Sequence, residues 1–133
     1  MSGGGCSYVQ AFEYDLITYQ NTVNENDFAK IRVWQPEHGE PALSFGKVAR
    51  IARTYLHSLK LDDEPTNLES ITIYKFCSKN WVYGVTFAHV GPEKVVTISP
   101  GEQRVLGKYF YLFIRPDGVL IKPVEQSRLK TMP

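Results

Sequence analysis

The chain has 133 residues, of which 43% are hydrophobic and 13% aromatic, and its formal net charge is +1. This length fits one domain with a core that needs neither a metal nor a disulfide, and the composition excludes a disordered chain. The small net charge provides no global basic field for nucleic acid, and no apolar run approaches the length of about 18 residues that a membrane span needs.

The two cysteines, Cys6 and Cys77, lie far apart in the sequence and show no paired spacing. A disulfide between them stays open, but we expect reduced thiols and a cytoplasmic protein, because the first residues lack the charged and apolar segments of a signal peptide. We expect a flexible leader at residues 1–7, a single domain at 8–126 and a flexible tail at 127–133.

The first third of the chain is ambiguous between strand and helix. Residues 8–20 combine β-branched and aromatic side chains with a helical spacing of apolar positions; we favour the strand, and the helix stays open. Residues 21–27 have the composition of a turn. Residues 28–34 alternate in polarity, which predicts a strand, and the prolines at both ends of the segment 35–41 predict a loop.

A clear amphipathic helix follows at residues 44–61. Ser44 is a favourable N-cap, and the apolar residues recur at helical spacing on one face. The opposite face is basic and carries no acid between its first and last lysine. The apolar face consists of Val48, Ile51, Ala52, Tyr55, Leu56 and Leu59, and the basic face of Lys47, Arg50, Arg53, His57 and Lys60.

The second half of the chain has the pattern of β-strands separated by tight turns. Pro123 confines the last strand to a sheet edge or ends its pairing. The predicted elements are strands at 69–77 and 81–90, a strand at 94–99, a loop at 100–107, a strand at 108–114, a turn at 115–118 and a strand at 119–125.

These elements predict an α+β fold in which one amphipathic helix packs on a curved antiparallel meander. The strand at 108–114 is apolar on both sides, with Phe110 and Leu112 facing one way and Tyr111 and Phe113 the other. One helix covers only one face of a sheet. The second face therefore needs a further layer, which either the N-terminal segment or a second subunit supplies.

The order of helix, strand, WVYGVTF and YFYLFIRPDGVLI resembles that of the small cystatin-like and PepSY-like domains, over residues 44–125. The resemblance implies a helix on a curved sheet and a non-enzymatic module that contacts proteins or peptides. The Gln-x-Val-x-Gly loop of true cystatins is missing, so protease inhibition is not implied. The positions that carry the resemblance are Trp81, Tyr83, Val85, Phe87, Asp117 and Gly118.

No established catalytic or cofactor motif occurs in the sequence, which lacks a phosphate-binding loop, a nucleophile elbow and the ligand spacings of zinc sites. His38 lies between two acids in a loop, which is more typical of a solvated loop than of a metal site. We treat Cys77 as a structural thiol. We predict no catalytic residue, no metal site and no cofactor.

Three functions stay open. The first is protein or peptide binding, with a protein partner or a homodimer contacting the aromatic sheet face of Tyr74, Tyr109, Tyr111 and Phe113. The second is a small-ligand binder or enzyme of the open-cone type, with Tyr83 and His89 as polar pocket residues beside Tyr109 and Tyr111. The third is phosphate contact on nucleic acid through Lys47, Arg50, Arg53 and Lys60, which we do not expect because no aromatic side chain shares their face.

Overall fold

The computed structural model of the chain describes residues 5–31, 34–39, 43–59, 65–77 and 79–132. Within these ranges it contains one α-helix, nine strands and two short 3-10 helices, so the α+β class is confirmed. The helix is α1 (Phe45–Ser58), and the 3-10 helices are Glu25–Phe28 and Pro36–His38. The strands are β1 (Ser7–Tyr14), β2 (Ile17–Asn24), β3 (Thr66–Phe76), β4 (Asn80–His89), β5 (Val95–Ser99), β6 (Glu102–Val105), β7 (Tyr109–Ile114), β8 (Leu120–Ile121) and β9 (Val124–Arg128).

The strands form three antiparallel sheets instead of the single predicted meander. The main sheet has the order β3-β4-β7-β8, the second sheet has the order β1-β2-β9, and β5 and β6 form a separate ribbon. The predicted loop at 100–107 contains β6. Pro123 follows β8 and has no N–H to donate to a strand, and after it the chain pairs with β2 instead.

The N-terminal segment is a β-hairpin, so the strand that we favoured for residues 8–20 is confirmed, interrupted by a turn at Asp15 and Leu16. Two predictions that follow it are wrong in part. Residues 21–24 continue β2, and Phe28 ends a 3-10 helix. Asp27 starts this helix by accepting a hydrogen bond from the Asn24 N–H (3.1 Å), and residues 32 and 33 lie outside the described ranges.

Helix α1 forms where its pattern predicts. The Ser44 hydroxyl accepts a hydrogen bond from the Lys47 N–H (3.1 Å) and so satisfies one of the free donors of the first turn. Val48, Ala52 and Leu56 are fully buried, and the helix packs against β3, β4 and β7. The predicted apolar face is therefore the docking face.

The core on the helix side of the main sheet also includes the N-terminal hairpin. Phe110 of β7 contacts the ring of Phe12 and the ring of Tyr19, each with centroids 5.0 Å apart. Edge-to-face packing of this kind stabilises a core beyond its buried area. The same cluster takes in the apolar side of α1 and the residues Tyr83, Val85, Phe87, Leu112 and Ile114.

The opposite side of the main sheet is covered at one end. Val23 of β2 and Phe28 of the first 3-10 helix bury Phe76, Val82 and Phe113. Of the two layers that we expected for this side, the N-terminal segment is thus the one that the structure shows. Towards the other end of the sheet, Tyr109 is exposed.

The ribbon of β5 and β6 is attached to the tip of the N-terminal hairpin. The Asp15 N–H donates to the Gly107 carbonyl (3.0 Å), and Arg104 contacts Glu13 (2.6 Å). A Cβ atom at Gly107 would lie 2.0 Å from the Glu13 carbonyl oxygen, so only glycine permits this approach of the two backbones.

The C-terminal residues differ from the expected flexible tail. Residues up to Arg128 belong to β9, which pairs with β2. Beyond this strand, the Leu129 N–H donates to the Leu16 carbonyl (2.7 Å) and the Met132 N–H donates to the Thr97 carbonyl (3.0 Å). The polar composition of this segment fits an exposed edge strand as well as it fits a loose tail.

Candidate functional site

Cys6 and Cys77 form a disulfide, so the prediction of reduced thiols is wrong. The fold places the start of β1 beside the end of β3, with 6.1 Å between the two Cα atoms. Cys6 is also fixed to the first 3-10 helix, because its N–H donates to a Glu25 carboxylate oxygen (3.1 Å) and its carbonyl accepts from the Glu25 N–H (2.9 Å). Two cysteines 71 residues apart gave no sequence signal for this pairing.

A groove of ≈ 390 Å³ lies beside this disulfide. One wall comes from β1, the other from the last residues of β3, and the floor consists of apolar side chains from β2, β4 and β7. We call it the disulfide groove. Its lining residues are Cys6, Ser7, Tyr8, Gln10, Val23, Tyr74, Lys75, Phe76, Cys77, Val82 and Phe113.

Two exposed tyrosines form the walls of the disulfide groove. Tyr8 and Tyr74 are 49% and 48% exposed, whereas Phe113 between them is 6% exposed. Both tyrosine rings meet Phe113 edge-on, at centroid distances of 5.9 Å for Tyr8 and 6.2 Å for Tyr74. The rings are thus held in place from one side and accessible from the other.

The position of Tyr74 depends on Gly84 of β4. A Cβ atom at Gly84 would lie 2.3 Å from Cε2 of Tyr74, so a larger residue would displace the ring. Glycine in the middle of a strand weakens the strand and commonly marks a place where another group approaches closely. Here that group is a wall of the groove.

The polar part of the groove is small. Among the described residues, Ser7, Gln10 and Lys75 contribute to it. The Gln10 side-chain oxygen accepts from the amide of Asn21 (3.4 Å), which also donates to the Tyr111 carbonyl (2.9 Å). Asn21 is fully buried, and its Oδ1 has no hydrogen-bond partner among the described residues.

The four residues predicted as an interface lie at two different places on the sheet face. Tyr74 and Phe113 line the disulfide groove. Tyr109, 38% exposed, and the half-buried Tyr111 lie further along the same sheet face, with ring centroids 6.3 Å apart. Tyr8 gave no sequence signal as a site residue, because the hairpin and the disulfide that bring it to Phe113 are contacts between distant parts of the chain.

The two predicted pocket residues do not share a site. Tyr83 is buried, and its hydroxyl accepts from the Leu43 N–H (3.0 Å) and donates to the Leu43 carbonyl (3.1 Å). His89 ends the same strand and is half-buried. Six residues of extended chain separate the two by about 20 Å. Neither residue lines the disulfide groove.

The predicted phosphate-binding residues have different surroundings. Lys47 and Arg50 are exposed and border a shallow depression with Ile51 and Thr54. Arg53 instead donates to the Thr66 hydroxyl (2.6 Å) and stacks over the Phe87 ring (4.5 Å to the centroid), which fixes the start of β3 to the helix. Lys60 lies outside the described residues.

Among the described residues, one group of side chains has the composition of a metal site. Ligand atoms of Cys6, Glu25 and Cys77 lie within 4.8 Å of one another. The two sulfur atoms are bonded to each other, however, and thiolates rather than disulfides bind metals. In this oxidised form the cluster is a structural link.

Comparison with known proteins gives no relative. Within the part of the chain that the structure describes, no helix is long and apolar enough to cross a membrane. No protein-family model, no curated protein and no solved structure matches this chain.

Proposed function

We propose that this chain is a non-enzymatic binding module that takes a short segment of a protein partner into the disulfide groove. The observation that carries the proposal is the pair of exposed rings, Tyr8 and Tyr74, held against the buried Phe113. Rigid tyrosines offer a large contact area at a low entropic cost, and aromatic side chains are enriched in protein interfaces.

The lining of the groove indicates the chemistry of the partner segment. A groove of ≈ 390 Å³ accepts a few side chains rather than the surface of a folded domain, so the segment is extended. Apolar side chains of the partner segment fit the apolar floor of the groove. β1 is an edge strand, so its free backbone groups run along one wall and can pair with an extended peptide.

The disulfide supports a change in the proposed compartment. Disulfides persist in oxidising compartments and are rare where glutathione keeps thiols reduced. The bond between Cys6 and Cys77 borders the groove directly. We therefore propose an oxidising compartment in place of the cytoplasm expected from the sequence. The resemblance to cystatin-like and PepSY-like domains stays part of this proposal, since it too implies contact with proteins or peptides.

The test is the selection of peptides on the immobilised, oxidised protein from a displayed library of random linear peptides. The affinity of a selected peptide is then measured by fluorescence polarisation for Tyr8→Ala, for Tyr74→Ala and for the matched control Tyr109→Ala. We expect the two groove variants to lose affinity by about tenfold or more, as hot-spot tyrosines do. The control lies on the same sheet face outside the groove and should bind normally.

Two outcomes contradict the proposal. The first is a library that yields no binding peptide. The second is a peptide whose affinity falls with Tyr109→Ala and not with Tyr8→Ala, which would move the contact surface to the open end of the sheet. Circular dichroism of each variant excludes a general loss of folding.

The volume of the groove also favours a second candidate, the binding of a small apolar molecule. The value of ≈ 390 Å³ falls within the range of about 300–1,000 Å³ that small-molecule sites occupy. A fragment screen by NMR that finds ligands at Tyr8 and Tyr74, together with a failed peptide selection, would favour this candidate. We do not propose nucleic-acid binding, since Arg53 is engaged by Thr66 and Phe87.

A further inference from the structure

Strand β3 is a long, exposed edge. It has 11 residues, contains no proline and, among the described residues, pairs only with β4. Its pairing with β4 is regular from Ser70 to Phe76 and has a bulge at Glu69, so the regular part of the edge is centred near Thr72. Along the outer side of an edge strand, the N–H and C=O groups of every second residue have no ladder partner. The surface that complements such a row of donors and acceptors is another extended strand.

The charges of β3 are arranged symmetrically about its middle. Glu69 and Lys75 are both exposed and lie three residues to either side of Thr72. In an antiparallel pairing of β3 with a second β3, centred on Thr72, Glu69 faces Lys75 of the second copy and Lys75 faces its Glu69. Each ion pair therefore occurs twice, as a twofold interface requires.

The residues between the charges match in the same register. Ile71 faces Ile73 of the second copy, again twice, and β-branched pairs across strands stabilise a sheet. Both isoleucines are half-buried and pack against the helix-side core, opposite Val85 and Tyr83 of β4. Pairing would thus continue the apolar layer under the helix from one copy into the next.

We propose that two copies of this chain pair edge to edge through β3, with the twofold axis at Thr72, and form a continuous eight-stranded sheet. A lone charge on an edge strand prevents such pairing in many proteins. Here each charge meets its opposite in one register only, so the charges select that register. The proposal does not depend on the binding of peptides in the disulfide groove.

A charge exchange tests the proposal by sedimentation equilibrium at low ionic strength. Glu69→Lys places lysine opposite lysine twice, and Lys75→Glu places glutamate opposite glutamate twice. We expect each variant to dimerise about tenfold more weakly than the wild type. The mixture of the two variants, one chain with two lysines and one with two glutamates, should recover a mixed dimer, and the double exchange should recover the homodimer.

Matched controls for these charge changes are Glu93→Lys and Lys130→Glu, at exposed positions outside β3. They should leave dimerisation unchanged. A wild type that stays monomeric over the whole concentration range overturns the proposal. So does a dimer that both β3 variants leave intact, or a mixture of the variants that fails to recover.

The register is tested by introduced thiols. Directly opposed residues of antiparallel strands have Cα atoms about 4.5–5.5 Å apart, within the span of a disulfide. Thr72→Cys should therefore give a covalent dimer on mild oxidation, resolved by non-reducing mass spectrometry. Ser70→Cys, whose two copies would lie about 13 Å apart along the strands, should not. Equal cross-linking of both variants, or none with Thr72→Cys, overturns the proposal.

Discussion

The helix side of the main sheet is closed by α1 and by the N-terminal hairpin, whereas the opposite side is covered at one end only. The same strands supply both sides. In β4, Tyr83, Val85 and Phe87 face the helix, and each is almost fully buried. The other side of that strand presents Val82 and, in the middle, Gly84 and smaller side chains.

This difference shows how a strand can encode both a core and a groove. Large side chains at alternate positions fill the space under the helix at the density of a protein interior. A glycine at an intervening position leaves room for the ring of Tyr74 to lie across the sheet. The closed side therefore depends on packing, and the open side depends on Gly84 and on the Cys6–Cys77 bond.

Of the changes that test this difference between the two sides, loss of the disulfide should have the largest effect on the free energy of unfolding. For the double variant Cys6→Ser/Cys77→Ser we expect a loss of about 4 kcal/mol in the free energy of unfolding, because the bond closes a long loop in the unfolded chain. Urea denaturation measures this loss. Peptide binding in the groove should fall as well, while the aromatic near-ultraviolet circular dichroism of the helix-side core persists.

Reduction of the wild-type protein with a phosphine is the matched control, since it breaks the disulfide and leaves both cysteines in place as thiols. Its free energy of unfolding should equal that of the double variant within about 1 kcal/mol. A change below about 1 kcal/mol in both would mean that the open side does not depend on the bond.

Truncation of a buried side chain on the closed side should have the second largest effect on the free energy of unfolding. Leu56→Ala removes a fully buried side chain of α1 and should cost about 2–5 kcal/mol through lost burial and a residual cavity. Leu68→Ala, at a leucine that is 40% exposed, is the control and should change the free energy of unfolding by about 0.5 kcal/mol or less. Equal costs for both would contradict the assignment of the docking face.

Gly84→Ala should have a smaller effect on stability and a specific effect on the groove. The new methyl group would meet the Tyr74 ring, so we expect a loss of about 1–3 kcal/mol in the free energy of unfolding and weaker peptide binding. Gly5→Ala, where a Cβ atom meets no other group, is the control. Unchanged binding by Gly84→Ala would mean that the position of Tyr74 does not matter.

The sequence predicted the parts of this structure that depend on local patterns. The apolar spacing of Val48, Ala52 and Leu56 predicted the helix and its buried face, and the alternation in 81–90 predicted β4. The two apolar sides of the strand at 108–114 also predicted that the main sheet has a second layer. Each of these inferences uses residues fewer than ten positions apart.

The disulfide groove was only half predictable, for the same reason. Phe113 was assigned to an interface because strand parity places it with Tyr111 on the second side of the strand 108–114, and Tyr74 was assigned to the same aromatic face. The strand pairing of the structure places Tyr74 and Phe113 on one side of the sheet. Tyr8 and the bond of Cys6 to Cys77 reach that side through contacts between distant parts of the chain. The pairing of β9 with β2 is of the same kind, so a polar tail and an edge strand look alike in sequence.

The smallest effect should come from Tyr19, whose ionisation at alkaline pH reports on the closed side. Burial, with a further contribution from the negative charge of Glu125, raises the pKa of Tyr19 to about 12. In the unfolded chain a tyrosine ionises near pH 10. The folded state thus holds this proton more tightly, so the contribution of Tyr19 to the free energy of unfolding is fully present below about pH 10 and is lost as the pH rises from 10 to 12.

Because burial also raises the pKa of Tyr55, we expect Tyr19→Phe to remove part of the alkaline loss of stability, measured by urea denaturation between pH 8 and pH 11. If Tyr19→Phe loses stability with pH as steeply as the wild type does, then Tyr19 is accessible to solvent and the closed side is open at the hairpin.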